Sequence, residues 1–185
     1  EIGSGLVGSE MCIRDSLGLD DKTYKTSTIA GVISNAKNAM MSPEQYSREY
    51  ADADRKSKRP MTGRIYQVYT ERCHAANAMD FDDILVYMNL LLRDHPEIAD
   101  QYREHFRYIL VDEYQDTNYA QYTIIRRLSQ THSKVCVVGD DAQSIYSFRG
   151  AKIENILSFK KDYPSAMVFK LEPVSYTHLR AHETG

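Results

Sequence analysis

Residues 108–116 read Tyr-Ile-Leu-Val-Asp-Glu-Tyr-Gln-Asp, an apolar run that passes directly into an acidic cluster. The apolar part, residues 108–111, is typical of a parallel β-strand that is buried on both faces. Residues 135–138, Val-Cys-Val-Val, have the same character and lead into a glycine and two aspartates. Together the two runs predict strands of one parallel sheet, each ending in a polar segment.

Helical patterns lie between and beyond these strands. Residues 119–128 carry an apolar stripe at helical spacing, residues 153–159 have a similar pattern, and residues 167–171 are a candidate third strand. This alternation of helix and strand favours right-handed crossover connections within one parallel sheet. We therefore expect an α/β fold, a parallel sheet with helices on both faces.

The part of the chain from residue 28 to residue 95 has only helical patterns. Apolar residues recur at helical spacing in two stretches, and Pro43 and Pro60 lie between them. A further helix is predicted from Phe81 to about Arg93, with Asp80 available as its N-cap. This region is therefore expected to be all-helical.

The composition is that of a folded, soluble protein. Of the 185 residues 42% are hydrophobic and 26% are charged, close to the globular average. No run approaches the roughly 18 consecutive apolar residues of a membrane-spanning helix, so we expect no membrane partner. Cys12, Cys73 and Cys136 show neither metal-ligand spacing nor a disulfide framework, which favours a cytoplasmic location. With a formal net charge of −3, any nucleic-acid binding must be local.

The two ends differ from the middle of the chain. Residues 1–16 show no sustained periodicity and no capping pattern, and residues 173–185 show neither alternation nor a helical stripe. Both resemble strings that arise when sequencing adapters are translated together with an assembled gene. We therefore expect them to be artefactual or disordered segments without a functional role.

The acidic cluster after the first strand is the first candidate site. Ligands of doubly wound sheets bind beyond the carboxyl ends of the strands, where Asp112 and Glu113 lie. Magnesium prefers hard oxygen ligands, so Asp112 is the candidate metal ligand. The adjacent Glu113 is the candidate general base that activates a water molecule. Alternatively, the cluster only ends the strand and caps the next helix, a role that suits Asp116 or Thr117.

The segment after the second strand, residues 139–150, combines an amide, two aromatic rings and a guanidinium. The amide of Gln143 can hydrogen-bond a phosphate, and the guanidinium of Arg149 can neutralise developing charge. Tyr146 and Phe148 offer ring faces on which unpaired bases stack, for about 1 to 3 kcal/mol each. Together these side chains could couple the nucleotide bound at the site to the binding of a nucleic-acid strand.

With these motifs the sequence resembles the UvrD/Rep/PcrA group of superfamily 1 DNA helicases. The resemblance extends over residues 17–172. The segments that carry it are ILVDEYQDTNYAQY (109–122), VVGDDAQSIYSFRGA (137–151), NILSFKKDYP (155–164), MDFDDIL (79–85) and ISNAKN (33–38). It implies an ATP-dependent DNA helicase that moves 3' to 5', with ATP as substrate, Mg²⁺ as cofactor and a role in DNA repair or replication.

The resemblance also implies a role for each candidate residue. Asp112 would coordinate magnesium, Glu113 would activate water, and Gln143 would sense the terminal phosphate of ATP. Arg149 would link the nucleotide site to the DNA track. The implied contacts to single-stranded and duplex-junction DNA are Tyr146, Phe148, Phe81 and Asp82, with Phe148 where many relatives have tryptophan. For Phe81 and Asp82 the alternative is a helix start that packs on the core.

The domain organisation follows from the same resemblance. Residues 17–78 would form a helical insertion subdomain, and residues 79–172 the C-terminal part of the first RecA-like motor domain of a P-loop NTPase. The sequence contains no G-x-x-x-x-G-K-[ST] loop, so we expect hydrolysis from the parent protein and not from this chain alone. Two alternatives remain: a helicase-nuclease subunit of the RecB/AddA type, and a non-catalytic DNA-binding module.

Overall fold

The computed structural model describes residues 7–132, 134–139 and 159–169, with side chains from residue 12 onward. Its elements are α1 (Val7–Ser16), α2 (Thr26–Asn38), α3 (Pro43–Lys56), α4 (Thr62–Ala75), α5 (Phe81–Asp94), α6 (Pro96–His105), β1 (Ile109–Val111), α7 (Tyr119–Ser129) and β2 (Val135–Val137). A 3-10 turn, Tyr114–Asp116, lies between β1 and α7. The described part of the chain is mostly helical, with a small parallel sheet.

Helices α1 to α4 enclose the main hydrophobic core. α2 contributes apolar side chains at the helical spacing that the sequence predicts. α3 begins where the Ser42 side chain accepts a hydrogen bond from the Gln45 amide, with Pro43 in the first turn. The buried side chains of this core are Ile13, Tyr24, Ile29, Ile33, Ala36, Tyr46, Ile65, Tyr66, Tyr69 and Cys73.

Helices α5 and α7 begin where the sequence predicts. The Asp80 side chain caps α5 by accepting from the Asp83 amide, and the Asp83 side chain accepts from the Asp80 amide in return. The predicted cap is therefore confirmed, as a complete capping box. α5 packs against α7, where the buried Asn89 donates from Nδ2 to the Ala120 carbonyl at 2.9 Å.

The two predicted strands pair in parallel, with Leu110 opposite Cys136, which confirms the predicted sheet. The prediction that both faces of the strands are buried is wrong, since Leu110 is 78% exposed and Cys136 is also exposed. Side chains alternate between the two faces of a strand. In β1 the half-buried Ile109 and Val111 therefore lie on the face that other described residues partly cover, opposite to Leu110. Within the described ranges, the Leu110 face of the sheet stays open.

Residues 167–169 do not form the predicted third strand. Met167, Val168 and Phe169 are 81%, 65% and 78% exposed, and the sheet of the described residues contains only β1 and β2. Without a partner strand an apolar segment gains no ladder hydrogen bonds. Residues 170 and 171 lie outside the described residues. Of the predicted helix 153–159 only residue 159 is described, and it opens a helical stretch over residues 159–162.

Helix α1 differs from the expectation for residues 1–16. Val7–Ser16 is helical, and Ile13 is fully buried in the main core. Helical stability in proteins comes mostly from tertiary packing, so the missing capping pattern did not exclude a helix. Residues 1–6 and 173–185 lie outside the described residues.

The cysteines are all free thiols, and only Cys73 among them is buried. Burial raises the pKa of the Cys73 thiol above its ordinary value. Over the described ranges of the chain, no helix combines the length and the apolar character needed to cross a membrane.

Candidate functional site

The acidic turn after β1 presents two carboxylates to solvent. Asp112 and Glu113 are exposed, whereas the next two residues, Tyr114 and Gln115, are each only 1% exposed. Glu113 has φ 48° and ψ 43°, in the left-handed region that residues other than glycine rarely adopt. Strained residues of this kind persist only where their surroundings fix them, and they cluster at functional sites. The strand therefore ends in exposed carboxylates while the following side chains return to the interior.

Backbone hydrogen bonds hold this turn against the end of β2. The Val138 amide donates to the Val111 carbonyl at 2.8 Å, and the Tyr114 amide donates to the Val138 carbonyl at 2.9 Å. The buried Tyr114 ring packs edge-on against Phe159, with the ring centroids 5.6 Å apart. Burial raises the pKa of the Tyr114 hydroxyl, which therefore stays neutral at physiological pH. The carboxyl ends of both strands thus meet at one edge of the sheet, where ligands of such sheets bind.

Hydrogen bonds inside the turn fix the direction of Glu113. Gln115 donates from Nε2 to the Glu113 carboxylate. The Glu113 amide donates to Asp112 Oδ1 at 2.9 Å, and the Asp116 amide donates to the Glu113 carbonyl at 2.8 Å. Both the backbone and the side chain of Glu113 are therefore held by the turn itself.

Asn118, and neither Asp116 nor Thr117, caps α7. Its side chain accepts from the Gln121 amide at 2.9 Å, and the Gln121 side chain accepts from the Asn118 amide at 3.0 Å. The expectation that Asp116 or Thr117 caps the helix is therefore wrong. An N-cap needs extended backbone, which Asn118 has at φ −84° and ψ 172°. Asp116 lies inside the 3-10 turn, and the Thr117 hydroxyl donates to the Tyr114 carbonyl.

Phe81 and Asp82 border a cleft of about 260 Å³ beside the acidic turn. The Phe81 ring is 71% exposed, so it is not packed on the core. The Asp82 carboxylate is partly buried and accepts a hydrogen bond from Asn38 Nδ2 at 2.9 Å. The residues that line this cleft are Asn38, Phe81, Asp82, Leu85, Asp116, Asn118 and Gln121. The predicted DNA contacts on α5 therefore lie close to the end of the acidic turn.

A buried ion pair fixes the start of α5 to the end of α2. The Lys37 side chain, 3% exposed, has Nζ 2.7 Å from Asp80 Oδ2 and 2.6 Å from Asp83 Oδ1. Tyr69 donates its hydroxyl to Asp80 Oδ2 at 2.8 Å. Burial acts to lower the pKa of Lys37 and to raise that of Asp80, but their mutual hydrogen bonds and charges outweigh burial. The pKa of Lys37 is therefore raised, that of Asp80 is lowered, and both groups stay charged.

Comparison with known proteins decides the family. The profile of the UvrD/REP helicase N-terminal domain matches residues 7–164 of this chain. The chain belongs to this family. The ATP-dependent DNA helicase PcrA of Leuconostoc citreum is 42% identical over 158 residues, which are 85% of this chain and 21% of that protein.

Two further members of the UvrD/REP helicase family are similarly close. The ATP-dependent DNA helicase UvrD1 of Mycobacterium bovis is 44% identical over 170 residues, 88% of this chain and 22% of that protein. The ATP-dependent DNA helicase PcrA of Staphylococcus aureus is 42% identical over 154 residues, 83% of this chain and 20% of that protein. The resemblance inferred from the motifs is thereby confirmed. The chain spans about a fifth of the length of these relatives.

Within this UvrD/REP helicase domain the structure describes part of the predicted site. Asp112 and Glu113 lie in the acidic turn, and the residue that ends this turn, Asp116, lines the same cleft as Phe81 and Asp82. Across the described ranges, no group of three or more His, Cys, Asp or Glu side chains is arranged to hold a metal ion. The remaining predicted site residues lie outside the described residues: Gln143, Tyr146, Phe148 and Arg149.

Proposed function

We propose that this chain is part of an ATP-dependent 3'-5' DNA helicase that acts in DNA repair or replication. Its family and the names of its relatives, all ATP-dependent DNA helicases, support the proposal. The observation that carries it is the strained turn at Glu113, which presents two exposed carboxylates at the carboxyl edge of the sheet. In α/β nucleotide-binding proteins this edge is where phosphates are bound.

Glu113 is the proposed general base. Its carboxylate is exposed, and the hydrogen bond from Gln115 directs it, so it can accept a proton from the water that attacks the terminal phosphate of ATP. Gln143 is proposed to sense that phosphate, and Arg149 to connect the nucleotide site with the DNA track. These two roles rest on the family resemblance of their motif.

Asp112 is the proposed magnesium ligand. An exposed carboxylate at a strand end fits an ion that takes one or two protein carboxylates and completes its shell with water and substrate phosphates. Magnesium bound there would neutralise charge on the phosphate oxygens of ATP. The hydrogen bond from the Glu113 amide to Asp112 Oδ1 fixes the carboxylate on one side and leaves its other oxygen for a ligand.

The proposed DNA contacts lie on two segments. The exposed Phe81 ring offers a stacking surface at the rim of the cleft, next to Asp82. Tyr146 and Phe148 are proposed to stack on bases of the same strand. The expected partners are single-stranded DNA and the junction between single-stranded and duplex DNA.

The finer architecture is part of the same proposal. Residues 79–172 would belong to a RecA-like motor domain, and residues 17–78 to a helical insertion subdomain of it. The proposed boundary crosses a packed interface, since α2 contacts both α5 and α7. A cytoplasmic location is proposed because all three cysteines are free thiols.

The test is an assay of the full-length protein encoded by the gene that contains this chain. ATP hydrolysis is measured with and without single-stranded DNA, and strand displacement is measured on duplexes with a 3' or a 5' single-stranded tail. We expect DNA to stimulate hydrolysis and the 3'-tailed duplex to be unwound. No ATP hydrolysis with or without DNA, together with no strand displacement, would point to the non-catalytic DNA-binding module instead.

A further inference from the structure

A buried amide joins the proposed DNA side of the cleft to the acidic turn. Asn38, the last residue of α2, is 3% exposed. Its Nδ2 donates to Asp82 Oδ1 at 2.9 Å, and its Oδ1 accepts from Asn118 Nδ2 at 2.6 Å. The same Nδ2 donates to the Ser34 carbonyl at 2.9 Å, which fixes the rotamer of the side chain within its own helix.

The two partners of Asn38 lead to different parts of the proposed site. Asp82 follows Phe81 in the first turn of α5, at the rim of the cleft. Asn118 caps α7 and directly follows the turn that Glu113 begins. The Asp116 amide donates to the Glu113 carbonyl, so a shift of Asn118 reaches Glu113 through a short, hydrogen-bonded stretch of backbone.

The chemistry of the position requires an amide. Asn38 donates to a carboxylate on one side and accepts from an amide nitrogen on the other, and no other side chain of its size does both in this orientation. Aspartate at this position would still accept from Asn118 but would place a second carboxylate against Asp82. A buried polar group that loses its hydrogen-bond partner destabilises the fold. The hydrogen-bonded relay Asp82–Asn38–Asn118 is therefore sensitive to replacement of the amide of Asn38.

We propose that Asn38 is a positioning residue that transmits DNA contact at Phe81 and Asp82 to the acidic turn that carries Glu113. This inference rests on the proposed function, because it requires that DNA binds beside α5 and that Glu113 acts on ATP. DNA bound at the rim of the cleft displaces or orders Asp82, and Asn38 passes that change to Asn118. The adjacent Lys37 ties the first turn of α5 to the end of α2, so the two helix ends move together.

The experiment uses the full-length protein and measures ATP hydrolysis with and without single-stranded DNA. Asn38→Asp is expected to reduce the DNA-stimulated kcat about fivefold to tenfold, with a KM for ATP close to that of the parent. Asp82→Asn alone removes the acceptor that faces Asn38 and is expected to reduce stimulation as well. The double variant Asn38→Asp with Asp82→Asn restores one donor and one acceptor at the contact, so stimulation should return to within about twofold of the parent.

Asn35→Ala is the matched control, because Asn35 lies on the same helix and is exposed. It should leave hydrolysis and stimulation unchanged. A lower ratio of stimulated to unstimulated rates in Asn38→Asp, restored in the double variant, supports the relay, since a merely structural role would lower both rates together. The inference is overturned if Asn38→Asp keeps the parent ratio, including when both rates fall together with the melting temperature. If the parent itself shows no stimulation by DNA, the proposed function and this inference both fail.

Discussion

At the scale of single residues, the site depends on a backbone conformation that its sequence does not favour. Glu113 is one of four residues other than glycine with a positive φ among the described residues, and it lies between an exposed carboxylate and a buried tyrosine. The hydrogen bonds of the turn and the burial of Tyr114 offset the cost of this conformation, which is about 1 to 3 kcal/mol for strained residues. Strain held in this way keeps the two carboxylates in a defined arrangement.

Replacing Asp112 tests the metal assignment. Asp112→Asn keeps the size of the side chain and an acceptor for the Glu113 amide but removes the negative charge that attracts magnesium. We expect the magnesium concentration for half-maximal ATP hydrolysis by the full-length protein to rise at least about tenfold. A magnesium titration measures this. Asp116→Asn, an exposed carboxylate of the same turn, serves as the control, and equal titration curves for both variants would contradict the assignment.

Sequence patterns gave the candidate site residues but not the structure around them. The end of β1 made Asp112 and Glu113 candidates, because an apolar run that stops at carboxylates is a local signal. The cap of α7 was assigned to Asp116 or Thr117 because a linear pattern cannot show that Asp116 lies in a 3-10 turn and that the Thr117 hydroxyl donates to the Tyr114 carbonyl. The next residue, Asn118, has extended backbone and a side chain that accepts from the Gln121 amide, so it is the cap.

At the scale of elements, α2 and α5 are joined by contacts that no local pattern contains. Lys37 and Asp80 are separated by 43 positions in the chain, so their pairing depends on the packing of α2 against α5. The N-cap of α5, Asp80, was by contrast predicted from the sequence, because a cap and its helix start are neighbours in the chain. The open Leu110 face of the sheet was also unpredicted, because an apolar run does not reveal which of its faces other elements cover.

Removing the charge of Lys37 tests the ion pair between these helices. Lys37→Met leaves Asp80 and Asp83 close together and uncompensated, and breaking a buried pair in this way costs about 3 to 5 kcal/mol. We expect amide hydrogen exchange in α5 of the full-length protein to accelerate at least about a hundredfold. Arg55→Met is the control, since Arg55 and its partner Asp52 have side chains 68% and 82% exposed. Similar exchange in both variants would show that the pair does not hold α5.

The pH dependence of this ion pair follows from the two pKa shifts. The pKa of Asp80 is lowered from 3.8, so its contribution to stability is present above that value and lost as pH falls through the lower folded value. The pKa of Lys37 is raised from 10.5, so its contribution is present below that value and lost as pH rises through the higher folded value. Exchange protection of α5, corrected for intrinsic rates, should therefore be constant between about pH 5 and 9. Protection that already declines toward pH 5 would contradict these shifts.

The α7 cap is expected to stabilise its helix and to hold the acidic turn. Asn118→Ala removes the acceptor for the Gln121 amide and the donor to Asn38 together. Loss of an N-cap typically costs about 1 kcal/mol, so exchange of the first amides of α7 should accelerate several-fold. Gln121→Ala keeps the Asn118 cap and should have a smaller effect. If the first amides of α7 exchange hydrogen at the same rate in both variants, Asn118 does not act as the cap.

At the scale of the whole molecule, the chain corresponds to one part of the helicases that it matches. It spans about a fifth of the length of the relatives that it matches. Among the described residues, the end of the acidic turn and the start of α5 line one cleft. The proposed hydrolysis site and the proposed DNA contacts would therefore be neighbours. Hydrolysis and unwinding are therefore to be measured on the full-length protein.

The central claim is that the acidic turn carries the hydrolysis of ATP, and replacing Glu113 tests it most directly. Glu113→Gln keeps the shape of the side chain but removes the base, and a general base contributes about a hundredfold to ten-thousandfold to the rate. The measurement is single-turnover ATP hydrolysis by the full-length protein on single-stranded DNA, beside nucleotide binding by the same variant. We predict that binding is retained and that hydrolysis falls at least about a hundredfold. Hydrolysis at the rate of the parent would contradict the account and assign the chemistry to another residue.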